Sequence, residues 1–138
     1  MSDLAIVNAT LILPDRLLPN AGIHVRSGQI VAVGRADELP PWTATTIDTE
    51  GLYLSPGFVD MHVHGGDGAD FMDGDEASFK KVIAAHRRHG TTGIVPTSTV
   101  APHEQTLRYL ELCEQFRRTG EILGAHLYGP FFNEEKVG

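Results

Sequence analysis

The chain contains one cysteine, Cys113, so no disulfide can form within it, and nothing in the sequence indicates an oxidising compartment. Basic residues are also scarce: 11 Lys and Arg are present against 18 Asp and Glu, for a formal net charge of −7 at pH 7. This charge balance argues against nucleic acid as a partner. An anionic small-molecule substrate would have to be held by locally placed groups rather than by the overall field.

Long apolar runs are missing as well. No stretch approaches the ~20 apolar residues of a membrane-spanning helix. Residues 1–10 carry no basic segment ahead of an apolar core and therefore do not resemble a signal peptide. Together these absences predict a soluble cytoplasmic protein that has no membrane partner.

The first 51 residues are typical of short antiparallel strands, with small apolar runs separated by proline, asparagine and glycine. Residues 23–26 and 29–33 alternate in polarity on either side of Ser27-Gly28, which predicts a hairpin. His24 lies on the polar side of that alternation. We therefore expect its side chain to be solvated.

From residue 52 onwards the pattern changes to strands that alternate with helices. Apolar residues at helical spacing predict helices over 76–89 and 102–120. One buried strand is predicted before the first helix, and two more are predicted at 91–97 and 122–127. Strands alternating with helices of this length imply an α/β fold with parallel βαβ units.

The most informative stretch is 54–74, in which an apolar strand leads into His62-Val63-His64. Side chains two apart on a strand point to the same face, so His62 and His64 should project together with Asp60 beneath them. Two neighbouring imidazoles at the end of a strand can bind one divalent metal ion. The alternative is a half-buried strand that happens to carry two histidines, but the glycine-rich loop that follows favours the metal.

The remaining histidines and the cysteine have ordinary explanations. His86 and His89 are three apart in the first predicted helix, a spacing that can bind metal, but basic residues in a helix's last turn commonly serve the helix dipole. His103 is expected to be exposed. Cys113 is expected to be a small apolar residue of the core.

The loop 65–72 matches the calcium-binding β-helix repeat once. Such repeats form sites only in tandem, and the chain has no second copy. The glycine spacing does not fit a P-loop or a dinucleotide fingerprint, and the acidic side chains would repel phosphate. We expect these glycines to permit a sharp turn and a close approach of the backbone to a substrate.

Three sequence blocks resemble the N-acetylglucosamine-6-phosphate deacetylase family of the amidohydrolase superfamily. They are PGFVDMHVHGGDGADFMDG from Pro56, HGTTGIVPTSTV at 89–100 and GAHLYGPFFNEEKVG at 124–138. The glycine-flanked hairpin at 28–34 also resembles the small β-sandwich that accompanies amidohydrolase barrels. The resemblance thus covers nearly the whole chain, and the blocks follow the family's order.

The resemblance implies a β-sandwich segment over 1–51 and, over 52–138, the first three βα strands of a (β/α)₈ TIM barrel whose site lies at the C-terminal strand ends. It implies hydrolysis of the acetamide of N-acetylglucosamine 6-phosphate in amino-sugar catabolism. His62 and His64 fill the positions of metal ligands, with zinc expected and iron or manganese as alternatives. It further implies a homodimer and a general-base aspartate from a later strand, beyond residue 138.

The third block departs from the family pattern. The family usually has HLEGP, whose glutamate binds metal, whereas this chain has Tyr128 at that position. A phenol is neutral at pH 7 and is a poorer ligand than a carboxylate. Three interpretations are open: Tyr128 lines the pocket and donates a hydrogen bond to substrate or oxyanion, Glu134 or Glu135 replaces the missing ligand, or the chemistry has changed or been lost. We favour the first, with His126 on the same strand face as Tyr128.

Residues 52–138 are far fewer than the roughly 250 of a complete TIM barrel. We therefore expect the chain to be the N-terminal portion of a longer protein and to be inactive by itself. Two alternative functions stay open. One is another amidohydrolase, such as a deaminase or a cyclic-amide hydrolase, and the other is a barrel that binds a sugar phosphate without turning it over.

Overall fold

The computed structural model describes residues 3–43, 45–133 and 135, and the chain divides into two compact units, Met1–Pro56 and Gly57–Gly138. The sequence predicted a division after Gly51, and that division stays a prediction. The short strand Tyr53–Leu54 pairs with the first strand of the chain and so belongs to the first unit. In the described residues no helix is both long enough and apolar enough to cross a membrane.

The first unit is built on one mixed sheet. The strands are β1 (Leu4–Ile12), β2 (Leu17–Arg26), β3 (Gln29–Arg35), β4 (Thr45–Asp48) and β5 (Tyr53–Leu54). Their order is β3-β2-β1-β4, with β5 also paired to β1; β1 is antiparallel to β2 and parallel to β4 and β5. The predicted β-sandwich stays a prediction, because the described residues of this unit form a single sheet.

The predicted hairpin at Ser27-Gly28 is confirmed. Arg26 pairs with Gln29, and the two turn residues have φ values of 51° and 80°. Positive φ at both central positions is the geometry of a type I′ turn, whose twist matches that of the flanking strands.

The prediction of a solvated His24 was wrong. Its side chain is buried, with 4% exposure, and its ring stacks on Trp42 with centroids 4.7 Å apart. The guanidinium of Arg26 lies 4.5 Å from the centroid of the same Trp42 ring. Alternation indicated the wrong surroundings because Trp42, which lies outside the hairpin, covers the face of β2 that carries His24.

The second unit contains the predicted βαβ arrangement. The elements are β6 (Phe58–Val63), β7 (Gly65–Gly66), β8 (Ala69–Asp70), the 3₁₀ turn Phe71–Asp73, α1 (Glu76–Arg87), β9 (Thr91–Pro96) and α2 (His103–Arg118). β6 pairs in parallel with β9, and α1 connects them after the short β7–β8 pair and the 3₁₀ turn. This confirms the α/β class, while the complete barrel stays a prediction.

The third predicted strand, 122–127, is not a regular strand. The segment runs parallel to β9 and pairs with it through a single bridge, Thr97 to His126. Backbone hydrogen bonds from Leu123 N to Ile94 O (2.9 Å) and from His126 N to Pro96 O (2.8 Å) hold it there. The pairing is sufficient to bring His126 next to the end of β9.

Both predicted helices are confirmed, with ends close to those expected. Asp75 caps α1, its side chain accepting a hydrogen bond from Ser78 N at 2.9 Å. Gly90, at φ 92°, follows the helix and allows the chain to turn into β9.

Cys113 is a buried free thiol in the core, as predicted. The buried cluster that joins the helices to β6 and β9 is Val63, Phe71, Met72, Phe79, Val82, Ile83, Ile94, Tyr109, Leu112, Cys113, Phe116 and Ile122.

Candidate active site

His62 and His64 converge at the C-terminal end of β6. Their Nε2 atoms lie 3.2 Å apart, and the rings are inclined at 74° to each other. Two nitrogens that each sit 2.0–2.1 Å from one tetrahedral ion would be separated by about 3.3 Å. The spacing therefore fits two ligands of a single divalent metal ion.

Hydrogen bonding sets the tautomer of His64. Its Nδ1 lies 3.2 Å from the carbonyl oxygen of Thr97. A carbonyl oxygen only accepts, so Nδ1 carries the proton and the lone pair is on Nε2, the atom that faces His62. Outer partners that orient a metal-binding imidazole in this way are typical of metal sites.

Asp60 does not share the surroundings of the two imidazoles, contrary to the expectation from strand alternation. Its Oδ1 accepts a hydrogen bond from His62 N at 3.0 Å, and its Oδ2 lies 4.0 Å from His86 Nδ1 on α1. The reason is a register shift in the β6–β9 pairing between Asp60 and Val63.

His86 has a tertiary contact rather than the helix-dipole role expected for it. Its Nε2 lies 3.1 Å from the carbonyl oxygen of Gly65 and so donates to the residue directly after His64. Together with the neighbouring Asp60, it ties α1 to the strand on both sides of the histidine pair. His89 is exposed, and so is His103, as predicted.

The glycine-rich loop turns sharply, as expected. A contact within the loop explains why its first residue, Gly65, is a glycine. Gly65 and Gly66 pair with Ala69 and Asp70, and a Cβ on Gly65 would collide with the carbonyl oxygen of Ala69. At the loop's tip the Arg88 guanidinium lies 2.6 Å from Asp67. Hydrogen bonding and attraction from Arg88 lower the pKa of the Asp67 carboxyl.

Tyr128 and His126 complete an aromatic cluster around His62. The centroid of the His62 ring lies 5.2 Å from that of Tyr128 and 5.0 Å from that of His126. Phe132 also packs against Tyr128, with ring centroids 4.8 Å apart. The predicted pocket residue therefore does lie beside the histidine pair.

A backbone contact fixes Tyr128. Its N–H donates to Ser98 Oγ at 3.0 Å, and Ser98 N donates in turn to the carbonyl oxygen of His126 at 2.9 Å. Ser98 is buried, so these two bonds hold the segment 126–128 against the end of β9. The tyrosine ring is thereby presented to the site from a well-anchored backbone.

A third ligand is not supplied by the part of the chain that the structure describes. Within 3–43, 45–133 and 135, no group of three or more His, Cys, Asp or Glu side chains is arranged to hold a metal ion. Glu135 therefore does not replace the missing ligand in this structure. Glu134, the other candidate, lies outside the described residues.

The second unit also matches a known family at the level of sequence. The model of the Amidohydrolase family matches residues 53–136, which is more than half of the chain and includes both histidines and Tyr128. The chain belongs to the amidohydrolase family. This amidohydrolase resembles several characterised members over most of its length.

Two curated relatives are N-acetylgalactosamine-6-phosphate deacetylase of Escherichia coli O157:H7, at 30% identity, and N-acetylglucosamine-6-phosphate deacetylase of Caenorhabditis elegans, at 33% identity. Each alignment covers 93% of this chain and 33% of the relative. The chain therefore spans about a third of the length of the curated relatives that it matches.

The solved structures include N-acetyl-D-glucosamine-6-phosphate deacetylase from Mycobacterium smegmatis, determined as a variant in complex with N-acetyl-D-glucosamine-6-phosphate. This amidohydrolase superposes on it with a TM-score of 0.78 and 32% identity, over 96% of this chain and 34% of that one. The deacetylase from Pasteurella multocida gives a TM-score of 0.80 at 25% identity.

Sequence reasoning placed His62, His64, His126 and Tyr128 near one another but missed Thr97 and Ser98. Both are buried, and both bond to the backbone or side chains of the aromatic cluster. A signal was available in the sequence, since three consecutive hydroxyl side chains, at 97–99, follow directly on the strand 91–96. Small polar residues at the carboxyl end of a barrel strand lie where such sites are built.

Proposed function

We propose that the full-length protein is a metal-dependent amidohydrolase that removes the acetyl group from an N-acetylated amino-sugar 6-phosphate. The observation that carries this proposal is the convergence of the His62 and His64 Nε2 atoms, 3.2 Å apart, beside Tyr128. Relatives named as deacetylases of N-acetylglucosamine 6-phosphate and of N-acetylgalactosamine 6-phosphate support this substrate class. N-acetylglucosamine 6-phosphate is the substrate we expect first.

His62 and His64 would hold the ion through their Nε2 atoms, with zinc expected and iron or manganese as alternatives. When bound, such an ion polarises the amide carbonyl and lowers the pKa of a bound water to about 7. The chain keeps the two Nε2 atoms 3.2 Å apart. The Thr97 carbonyl holds the proton of His64 on Nδ1, which leaves the lone pair of His64 Nε2 free to bind the ion.

Tyr128 would act on the substrate rather than on the ion. A phenol hydroxyl can donate a hydrogen bond, and the Tyr128 ring lies beside His62. We assign it the donation of a hydrogen bond to the amide oxygen of the substrate, on which negative charge develops as the amide is attacked. Phe132 packs against the same ring and limits its movement.

The general-base aspartate and the further ligands implied by the family resemblance would come from outside these 138 residues. For that reason we propose that the chain is inactive by itself. The homodimeric state and the cytoplasmic location remain predictions. A barrel that binds a sugar phosphate without hydrolysing it is the second candidate, because the described residues hold no third ligand and a tyrosine occupies the glutamate position.

The test is acetate release from N-acetylglucosamine 6-phosphate and N-acetylgalactosamine 6-phosphate by the full-length protein, with added zinc and with a chelator. Release that the chelator stops and zinc restores would support the deacetylase, and the preferred sugar would identify the epimer. A folded protein that binds either sugar phosphate but releases no acetate would support the binding barrel instead. Release that the chelator leaves unchanged would contradict the metal dependence.

A further inference from the structure

The hydroxyl of Thr97 lies where three segments of the second unit meet. Thr97 follows directly on β9 and is fully buried, with 0% exposure. Its Oγ1 lies 3.0 Å from Val63 N, 3.3 Å from His126 Nδ1 and 3.4 Å from Val95 O. A hydroxyl has one proton and two lone pairs, so it can accept from the Val63 N–H and donate to either of the other two atoms.

The bond to Val63 is at the irregular point of the strand pair. The register of β6 against β9 shifts between Asp60 and Val63, and the Val63 N–H at the end of this shift donates to Thr97 Oγ1 at 3.0 Å. The hydroxyl is thus a side-chain acceptor beside the strand pairing for the N–H of a buried residue, and it helps to hold the chain in the shifted register. Register shifts of this kind re-aim side chains and are common next to active sites.

Val63 is the residue between the two candidate ligands. A movement of its peptide group would change the directions of the His62 and His64 side chains together. The Thr97 backbone adds two further bonds on this side: its N–H donates to Val63 O at 2.8 Å, and its carbonyl accepts from His64 Nδ1 at 3.2 Å. Thr97 is thus bonded to His64 directly and to His62 through the adjoining peptide.

We infer that Thr97 is a positioning residue for the histidine pair, its hydroxyl holding the irregular end of β6 so that both Nε2 atoms meet at one divalent metal ion. The inference rests on the proposed function only in that the pair binds a metal. It is independent of the substrate and of the catalytic step. Loss of the hydroxyl should therefore weaken metal binding even where the fold is retained.

The experiment is a zinc titration of the full-length protein against a chromophoric chelator, with thermal unfolding recorded for each variant. Thr97→Val removes the hydroxyl at constant shape, and we expect zinc affinity to fall roughly 10–100-fold, the usual effect of removing an outer partner. Thr97→Ser keeps the hydroxyl and should stay within about threefold of the parent. Thr92→Val, at an exposed threonine of β9, is the matched control and should bind zinc like the parent.

Equal zinc affinity in Thr97→Val and the parent would overturn the inference, and so would a Thr97→Ser variant as weak as Thr97→Val. If Thr97→Val does not fold, Thr97→Ala is measured by the same criterion, because it removes the hydroxyl without adding a methyl group. The parent protein and His62→Ala are titrated beside these variants. If those two bind zinc equally, the assigned metal site of the proposed function is wrong, which is a different outcome from a failure at Thr97.

Discussion

The ring of Tyr128 stands edge-on to the ring of His62, with centroids 5.2 Å apart and an angle of 62° between the planes. The family resemblance implies a metal-binding glutamate at this position. The phenol instead occupies a place next to the candidate ligands, held there by the Tyr128 N–H to Ser98 Oγ bond. This arrangement suits a group that contacts the substrate beside the ion.

The first prediction concerns that phenol. Tyr128→Phe keeps the ring and removes the hydroxyl, and we expect kcat for deacetylation to fall about 10²-fold, the usual effect of removing one oxyanion donor. KM should change much less, because the donated bond strengthens as charge develops. The measurement is steady-state kinetics of acetate release.

Zinc content is the control for this variant and should equal that of the parent, since the proposal does not make Tyr128 a ligand. A Tyr128→Phe protein that has lost its zinc would show that the oxygen binds the ion. Unchanged kcat would contradict the assigned donor.

The second prediction concerns the ligand pair. His62→Ala removes one of the two Nε2 atoms, and the full-length protein should no longer retain the metal after dialysis, as measured by elemental analysis. His103→Ala is the matched control, because that histidine is exposed at the start of α2. Equal metal content in His62→Ala and the parent would disprove the assigned site.

The third prediction concerns pH. Hydrogen bonds from Arg117 and Arg118 lower the pKa of the Glu114 carboxyl from 4.5 to about 2. A lowered pKa in the folded state means that the stabilisation is present above the ordinary pKa and is lost as the pH falls towards the lowered one. The melting-temperature difference between the parent and Glu114→Gln should therefore narrow from about pH 6 to about pH 3.

Salt provides the check on this third prediction. Glu114 is at the protein surface, so about 1 M salt should shrink the same difference at neutral pH. A difference that stays constant with pH and salt would mean that the ion pairs do not act on stability.

The fourth prediction concerns the core. Phe79 has 0% exposure and packs against Phe71 and Phe116, with ring centroids 4.8 Å and 5.1 Å away. Phe79→Ala should lower the free energy of unfolding by about 3–5 kcal/mol. Phe131→Ala, at a side chain with 97% exposure, should change it by no more than about 0.5 kcal/mol. Urea unfolding of both variants makes the comparison, and equal effects would contradict the described packing.

Much of the secondary structure followed from local signals. The I′ turn at Ser27-Gly28 and the two helices were predicted close to their observed ends, because turn chemistry, caps and helical periodicity act within a few residues. The strand predicted at 122–127 was less accurate. Its pairing depends on which distant segment supplies backbone hydrogen bonds, here the carbonyl oxygens of Ile94 and Pro96.

His24 and Asp60 show two ways in which alternation can mislead. The face of β2 that carries His24 is covered by Trp42, which lies outside the hairpin. Asp60 lies beside a register shift in its own strand, because β6 advances three residues from Asp60 to Val63 while β9 advances two from Ile94 to Pro96. The extra residue in β6 breaks the two-residue period on which the assignment of faces depends.

The sequence by itself determined the α/β class of the second unit, the pairing of His62 with His64 as candidate ligands and the position of Tyr128 within the third block. These follow from residue type and short spacing. The tertiary structure decided that the Nε2 atoms converge to 3.2 Å, that Asp60 turns towards His86, and that Thr97 bonds to both sides of the site. Those facts depend on the register between strands that are some thirty residues apart, which no local pattern encodes.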